Sequence, residues 1–243
     1  MAQAVVFGEI LFDVFADGEY LGGAPLNCGW YLRQFGIEVQ MVSAIGKDQR
    51  GQQAEQLMRQ AGIGLDLTAR RDEPTGYVTV KLSNGEPDFT IHEGVAWDHI
   101  EPACGEAPKA DLLYFGSLAQ RTKMNRVTLK WLLGNGAKYR LFDVNLRQHY
   151  YSPEILRDGL ATASLVKCNH EEWEVIKKVV PVDEPTELAE RFGIAAVVIT
   201  LGADGADLYL GRQSIHAQSK ASNVVDTVGA GDAVAAVLGA ALI

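Results

Sequence analysis

The sequence is poor in cysteine and contains no long apolar run. Its three cysteines, Cys28, Cys104 and Cys168, are widely spaced in a chain of 243 residues, and no CxxC pair occurs. This spacing argues against a disulfide framework and a zinc site, so a reducing compartment, the cytoplasm, is expected. No stretch of 18 apolar residues occurs, which argues against a membrane span. The N-terminal residues lack the basic start of a signal peptide.

The chain also lacks an excess of basic residues. Lys and Arg number 22 against 31 Asp and Glu, which gives a formal net charge of −9. Such an acidic chain is a poor partner for nucleic acid or for an anionic membrane surface. A few local hydrogen-bond donors are still sufficient to bind an anionic substrate. Because 47% of the residues are hydrophobic, a single α/β domain over residues 1–243 can bury a core without disulfides.

Short apolar runs alternate with segments of helical periodicity. Strands are predicted at residues 4–8, 39–45, 111–116, 140–144, 165–168 and 196–201. Helices are predicted at residues 26–35, 51–61, 125–133, 153–161, 171–179 and 186–192. This alternation predicts βαβ units and a mainly parallel sheet that is covered on both faces. Ligands of such sheets bind beyond the carboxyl ends of the strands.

One segment departs from this alternation. Residues 76–93 contain two alternating runs on either side of Asn84 and Gly85, a pair typical of a tight β-hairpin turn. The hairpin is interpreted either as a flap over an active site or as an edge hairpin or dimer contact.

The most informative motif lies at residues 226–232, DTVGAGD, and precedes a helix of small residues. The amides of Gly229, Ala230 and Gly231 are expected at the N-terminus of this helix, where they favour an anion. Asp232 is then suited to act as the general base for a hydroxyl that attacks a phosphate. An ordinary helix-terminal charge is the alternative. The third glycine of a dinucleotide-binding fingerprint is absent, and no Walker A loop occurs.

Near the start of the chain, Gly22 and Gly23 precede a predicted helix that carries Asn27. Paired glycines allow a ligand to approach the backbone, although they are also common where a loop enters a helix. Asp13 follows the first predicted strand and is placed to bind a hydroxyl, with a solvated loop aspartate as the alternative.

Further polar residues follow the later strands. Strand alternation predicts that Asp143, Asn145 and Arg147 point to one side of an extended strand end, as expected of a ligand site. Asn169 and Glu172 are spaced to hold magnesium through water, or to form a helix capping box. The final predicted strand is followed by a turn that contains Thr200, Gly202 and Gly205. This turn is suited to face a phosphate or a ribose, with a plain β-turn as the alternative.

In their order along the chain, these motifs resemble the ribokinase-like (PfkB) family of sugar kinases over essentially all 243 residues. The matching residues are Gly22-Gly23-x-x-x-Asn27, Gly46-x-Asp48-x-x-Gly51, Asn169-x-x-Glu172, Thr200-x-Gly202 and Asp226-Thr227-x-Gly229-Ala230-Gly231-Asp232. The phrases GEILFD, GGAPLN and FDVNLR are most similar to the fructokinase branch. The resemblance implies a three-layer α/β/α fold with a mainly parallel sheet and a small β-lid from about residues 12–21 and 76–93.

The resemblance also implies an activity: ATP-dependent phosphorylation of a primary hydroxyl of a monosaccharide, with fructose as the first candidate. Ribose, 2-keto-3-deoxygluconate or a nucleoside is the alternative substrate, and a non-catalytic sugar-binding protein is the alternative function. An exposed lid sheet is compatible with a homodimer. Family members continue past the GAGD helix, so we expect that the C-terminal helices completing the adenine pocket are missing from residues 1–243.

Roles for individual residues follow from the same resemblance. Asp232 is expected to be the catalytic base, with the anion hole formed by Gly229, Ala230 and Gly231. The residues expected to bind the sugar are Asp13, Gly22, Gly23, Asn27, Asn145 and Arg147. Those expected to bind ATP are Asn169, Thr200, Gly202 and Gly205. Glu172 is expected to hold Mg²⁺, and Asp226 is a candidate ligand for K⁺.

Overall fold

The computed structural model describes residues 1–83, 86–219 and 229–243. The strands are β1 (Gln3–Phe7), β2 (Leu11–Val14), β3 (Glu19–Gly22), β4 (Glu38–Gly46), β5 (Thr68–Arg71), β6 (Gly76–Ser83), β7 (Glu86–Ile91), β8 (Leu112–Gly116), β9 (Tyr139–Asp143), β10 (Leu165–Asn169), β11 (Ala196–Thr200), β12 (Ala206–Leu210) and β13 (Gln213–Ala217). The helices are α1 (Ala24–Gln34), α2 (Gln49–Gln60), α3 (Lys123–Gly134), α4 (Pro153–Thr162), α5 (His170–Val179), α6 (Pro185–Phe192) and α7 (Ala230–Leu242).

Within the described residues, nine strands form one large sheet in the order β13-β12-β11-β10-β9-β8-β1-β4-β5. The seven strands from β11 to β5 pair in parallel, whereas β12 and β13 pair antiparallel at one edge. All six predicted strands are confirmed. β5, β12 and β13 were not predicted from the sequence, because these strands at the two ends of the sheet lack the buried apolar runs that mark the central ones.

Helices cover both faces of the large sheet, as the alternation predicts. Apolar side chains of α1, α2 and α7 pack on one face, and those of α3, α4, α5 and α6 pack on the other. All six predicted helices are confirmed, and several begin at a side-chain cap. The cap residues that accept a backbone N–H of the first turn are Asp48, Thr122, Ser152 and Asn169. No helix in the part of the chain that the structure describes is long and apolar enough to cross a bilayer.

A second, smaller sheet stands beside the large one in the order β3-β2-β6-β7. β2 pairs in parallel with β6, and the two outer pairs are antiparallel. This sheet contains the strands expected of the small β-lid at about residues 12–21 and 76–93, and its role as a lid stays a prediction. The predicted turn at Asn84 and Gly85 lies outside the described residues.

The last described helix, α7, packs closely on α1 and on the large sheet. A Cβ atom added at Gly239 would lie 2.6 Å from a methyl group of Leu112 in β8 and 3.6 Å from one of Leu32 in α1. The small residues of α7 therefore allow an approach that larger side chains would block. The N-terminal ends of α1 and α7 lie close together, since Asn27 in the first turn of α1 contacts Asp232 in the first turn of α7.

Candidate active site

The site residues converge where the strand order reverses. β1 lies between β8 and β4, so the chain leaves β1 toward one edge of the sheet and later returns to its other side. In open α/β sheets, the crevice at such a reversal is the usual ligand site. The loop after β1 and the N-terminal ends of α1 and α7 border this region.

Asp232 and Asn27 form the central contact of the site. Nδ2 of Asn27 donates a hydrogen bond of 2.8 Å to Oδ2 of Asp232, although 205 residues separate the two along the chain. Burial raises the pKa of Asp232 above its ordinary value, while the hydrogen bond from Asn27 acts in the opposite direction. A half-buried carboxylate with these properties is suited to general-base chemistry.

The turn before Asp232 has the geometry of a helix-terminal anion site. Gly229 is the N-cap of α7 and has a φ of 76°, in the left-handed region that favours glycine. The N–H of Ala233 donates to the carbonyl oxygen of Gly229 at 2.9 Å, so the preceding amides have no acceptor within the helix. The predicted glycine turn leading into a helix is confirmed. The role of the amides of Gly229, Ala230 and Gly231 as an anion hole stays a prediction.

Asp13 and the Gly22-Gly23 pair lie together beside α1. A Cβ atom at Gly22 would lie 2.9 Å from Oδ2 of Asp13. One at Gly23, where φ is 110°, would lie 2.5 Å from the carbonyl oxygen of Glu9. Asp13 lies within β2 of the small sheet and not in a loop directly after the first strand. Burial raises the pKa of Asp13.

The predicted polar row after β9 is only partly correct. β9 ends at Asp143, and Asn145 has a φ of 37°, so strand alternation does not extend to Arg147. Asn145 is buried, whereas Arg147 is exposed. The positive charge of Arg147 still counteracts the upward pKa shifts of both Asp13 and Asp232, which places it within electrostatic reach of these carboxyl groups.

Asp143 belongs to a buried network beneath the turn before α7. Its Oδ1 accepts a hydrogen bond of 3.0 Å from Nζ of Lys167, and its Oδ2 accepts one of 3.0 Å from the hydroxyl of Tyr114. Burial is the largest single effect and lowers the pKa of Lys167, but the carboxylates of Asp143, Glu172 and Asp232 together outweigh it and raise the pKa. A Cβ atom at Gly231 would lie 2.9 Å from Nζ of Lys167. A buried ammonium group therefore lies against the first turn of α7.

Asn169 and Glu172 form the capping box that was the structural alternative for this pair. Oδ1 of Asn169 accepts the N–H of Glu172, and Oε2 of Glu172 accepts the N–H of Asn169, both at 2.8 Å. Oε1 of Glu172 accepts the N–H of Leu146 at 2.7 Å. Because both carboxylate oxygens already accept backbone amides, this geometry fits contact with magnesium through water better than direct ligation. The described residues contain no group of three or more His, Cys, Asp or Glu arranged for a metal.

The turn after β11 lies next to Asn169. Thr200 is the register partner of Asn169 between β11 and β10, and its hydroxyl donates to the carbonyl oxygen of Cys168 at 3.4 Å. Gly202 and Gly205 both have positive φ angles and form the tight connection to β12. The predicted turn is thus confirmed, and its contact with a nucleotide stays a prediction.

The Gly46-x-Asp48-x-x-Gly51 motif has a structural role. Asp48 accepts the N–H of Gly51 at 2.8 Å, as well as the N–H of Thr75 at 2.8 Å and its hydroxyl at 2.6 Å. The Thr75 hydroxyl also accepts the N–H of Gly46 at 2.9 Å. These bonds join the start of α2 to the segment that enters β6 of the small sheet.

The predicted residues reach the site to different extents. Those at the centre are Asp13, Gly22, Gly23, Asn27, Gly229, Ala230, Gly231 and Asp232. Asp226 lies outside the described residues. Three further residues of this region, Glu9, Tyr114 and Lys167, were not predicted from the sequence. Two features of the sequence could have identified Lys167 and Glu9. Lys167 is a charged residue within the apolar run of β10, and Glu9 is an acidic residue shortly after β1.

Comparisons with known proteins identify the family of this chain. The chain matches the pfkB family carbohydrate kinase profile over residues 2–243. It is 28% identical to a fructokinase of Escherichia coli over 96% of this chain and 81% of the relative. It is also 28% identical to an aminoimidazole riboside kinase of Salmonella typhimurium over 96% of this chain and 78% of the relative.

A solved structure shares the fold. It is a fructokinase of Vibrio cholerae in fructose, ADP and calcium ion bound form, with a TM-score of 0.78, 22% identity, and coverage of 96% of this chain and 81% of that chain. The family match confirms the resemblance found in the sequence. This chain therefore belongs to the pfkB family of carbohydrate kinases and is a phosphotransferase with an alcohol group as acceptor.

Proposed function

We propose that this sugar kinase transfers the γ-phosphoryl group of ATP to a primary hydroxyl of a monosaccharide, with fructose as the first candidate substrate. The observation that carries the proposal is the 2.8 Å hydrogen bond between Asn27 and Asp232. This contact joins the predicted sugar-binding helix to the predicted catalytic base at the reversal of the sheet.

Asp232 accepts the proton of the sugar hydroxyl while that oxygen bonds to the γ-phosphorus and the bond to the bridging oxygen of ADP breaks. The raised pKa of Asp232 brings the basicity of the carboxylate closer to that needed at neutral pH. The amides of Gly229, Ala230 and Gly231 stabilise the negative charge of the transferred group, and the ammonium group of Lys167 adds positive charge beside Gly231. Such a reaction depends chiefly on positioning and electrostatics.

The sugar site is formed by residues from three segments. Asp13 accepts hydrogen bonds from sugar hydroxyls, and the backbone at Gly22 and Gly23 allows close approach. Arg147, whose charge acts on Asp13 and Asp232, and the buried Asn145 complete the site. The fructokinase relative supports fructose. The aminoimidazole riboside kinase relative supports a riboside as the alternative. Ribose and 2-keto-3-deoxygluconate are the other acceptors to test.

The nucleotide lies, in this proposal, over the neighbouring ends of β10 and β11. Asn169 and Thr200 are register partners there, and the turn with Gly202 and Gly205 borders the same edge. Glu172 would hold Mg²⁺ through water, and the ion would supply positive charge to the phosphate oxygens. Asp226 remains our candidate for a K⁺ site. We propose that the small sheet is a lid over the sugar and also forms the surface of a homodimer. The proposed location of the protein is the cytoplasm.

A panel of sugars assayed with ATP and Mg²⁺ tests this function. We expect ADP release to depend on one sugar, with D-fructose ahead of D-ribose, 2-keto-3-deoxygluconate and aminoimidazole riboside. Asp232→Asn should lower kcat by about 10²–10⁴-fold while calorimetric sugar binding is retained. Glu38→Gln, the same type of change at the amino end of β4, is the control. Near-normal turnover in Asp232→Asn would refute the assignment of the base.

A further inference from the structure

Glu9 is a buried acid that the proposed mechanism does not use. It follows β1 at the point where the chain turns toward the small sheet, and its exposed fraction is only 3%. Its backbone carbonyl oxygen and its Cγ atom would lie 2.5 and 3.5 Å from a Cβ atom at Gly23. Glu9 therefore forms part of the wall behind the Gly22-Gly23 turn, against which the sugar is proposed to bind.

The carboxyl group of Glu9 is incompletely paired. It accepts a hydrogen bond from its own backbone amide, but Oε2 has no hydrogen-bond partner among the residues that the structure describes. A buried polar atom without a partner costs free energy, and native structures retain few of them. An unpaired atom of this kind beside a ligand site has a simple explanation, namely that a ligand group supplies the missing partner.

The charged groups around Glu9 also belong to the site. Arg147 and Asp232 act on it electrostatically, as does Arg121, which is itself paired with Asp98. Burial is the largest effect and raises the pKa of Glu9 to about 7, while Asp232 adds to the shift and the two arginines oppose it. A carboxyl group that keeps its proton can donate a hydrogen bond as well as accept one.

We propose that Glu9 is a specificity-determining residue for the sugar and that Oε2 forms a hydrogen bond with one substrate hydroxyl. The inference rests on the proposed function for the identity of the ligand class. In the productive state the carboxyl group is protonated and donates this bond to the hydroxyl oxygen. A sugar without that hydroxyl leaves a buried polar group unpaired and is rejected.

Calorimetric titration of the purified full chain tests the inference. The probes are whichever of D-fructose, D-ribose and 2-keto-3-deoxygluconate binds the wild type most tightly, together with its monodeoxy analogues. Glu9→Ala should raise the Kd of the parent sugar about tenfold or more. The same substitution should leave the Kd of one deoxy analogue unchanged, because that analogue lacks the hydroxyl and forms no hydrogen bond with Glu9 even in the wild type.

Glu9→Gln retains the shape and a hydrogen-bond donor, so it should bind within a few-fold of the wild type. It should also remove the loss of sugar affinity that we expect of the wild type as pH rises through about 7. Thermal melting of all variants, with Glu38→Gln as control, separates a binding effect from loss of the fold.

The inference is overturned if every deoxy analogue loses the same factor of affinity, relative to the parent sugar, in Glu9→Ala as in the wild type. It is also overturned if Glu9→Ala leaves the Kd of the parent sugar unchanged. A wild type that binds none of the three sugars would also overturn it. ADP release is recorded in the same samples. Glu9-dependent sugar binding without ADP release would support the role of Glu9 and refute only the proposed kinase function.

Discussion

Glu9→Gln should change how the stability of the protein depends on pH. Glu9 is buried, and its pKa in the folded chain is raised from 4.5 to about 7. Below pH 4.5 the carboxyl group is protonated in both the folded and the unfolded state, so it causes no pH dependence. Between pH 4.5 and 7 the unfolded chain loses this proton while the folded chain keeps it. The free energy of unfolding must therefore fall as pH rises through this window.

The size of the effect follows from the difference between the two pKa values. That difference, 7 minus 4.5, is about 2.5 units, and one unit corresponds to about 1.4 kcal/mol. Ionisation of Glu9 should therefore cost the wild type about 3 kcal/mol of stability once the pH is well above 7. Glutamine does not titrate, so the variant does not incur this loss. Any constant cost of burying the amide cancels when the two stabilities are compared across pH.

Urea denaturation at intervals from pH 4.5 to 8.5 measures this quantity. We expect the stability of Glu9→Gln relative to the wild type to increase by about 3 kcal/mol over this range. Glu38→Gln, which changes an exposed glutamate, is measured in parallel as the control. A flat difference for Glu9→Gln would show that Glu9 titrates normally in the folded state, and this reasoning would then be wrong.

Two further predictions concern contacts that join distant parts of the chain. Lys167→Met should lower the free energy of unfolding by about 3–5 kcal/mol, because it leaves Asp143 buried without its cation. In urea denaturation, the double variant Lys167→Met/Asp143→Leu should be less destabilised than Lys167→Met. Equal or greater destabilisation of the double variant would contradict this prediction. The hydrogen bond from Asn27 lowers the pKa of Asp232, so its loss in Asn27→Ala should raise that pKa. The acidic limb of the kcat–pH profile at saturating sugar should therefore move to higher pH. An unmoved limb would show that this bond does not affect the pKa of the base.

The sequence was sufficient to predict those structural features that depend on residues within one short segment. The apolar runs of β1, β4, β8, β9, β10 and β11 predicted the parallel sheet, since strands buried on both faces must be apolar throughout. The Asn169–Glu172 spacing allowed either a magnesium contact through water or a capping box, and the structure forms the capping box between these residues three apart. Local reasoning failed after Asp143, because the backbone there turns into the left-handed region at Asn145.

The amino-acid sequence by itself determined the alternation of strands and helices, the glycine turn before α7 and the order of the family motifs. Periodicity and capping act over a few residues, so these features are readable without tertiary contacts. Only the tertiary structure decided that Asn27 binds Asp232, that Lys167 pairs with Asp143, and that Glu9 is buried with an unpaired oxygen. Two of these are contacts between different elements, and the third depends on what surrounds the loop after β1. Such arrangements arise only when the sheet reversal and the packing of α7 on α1 bring distant segments together.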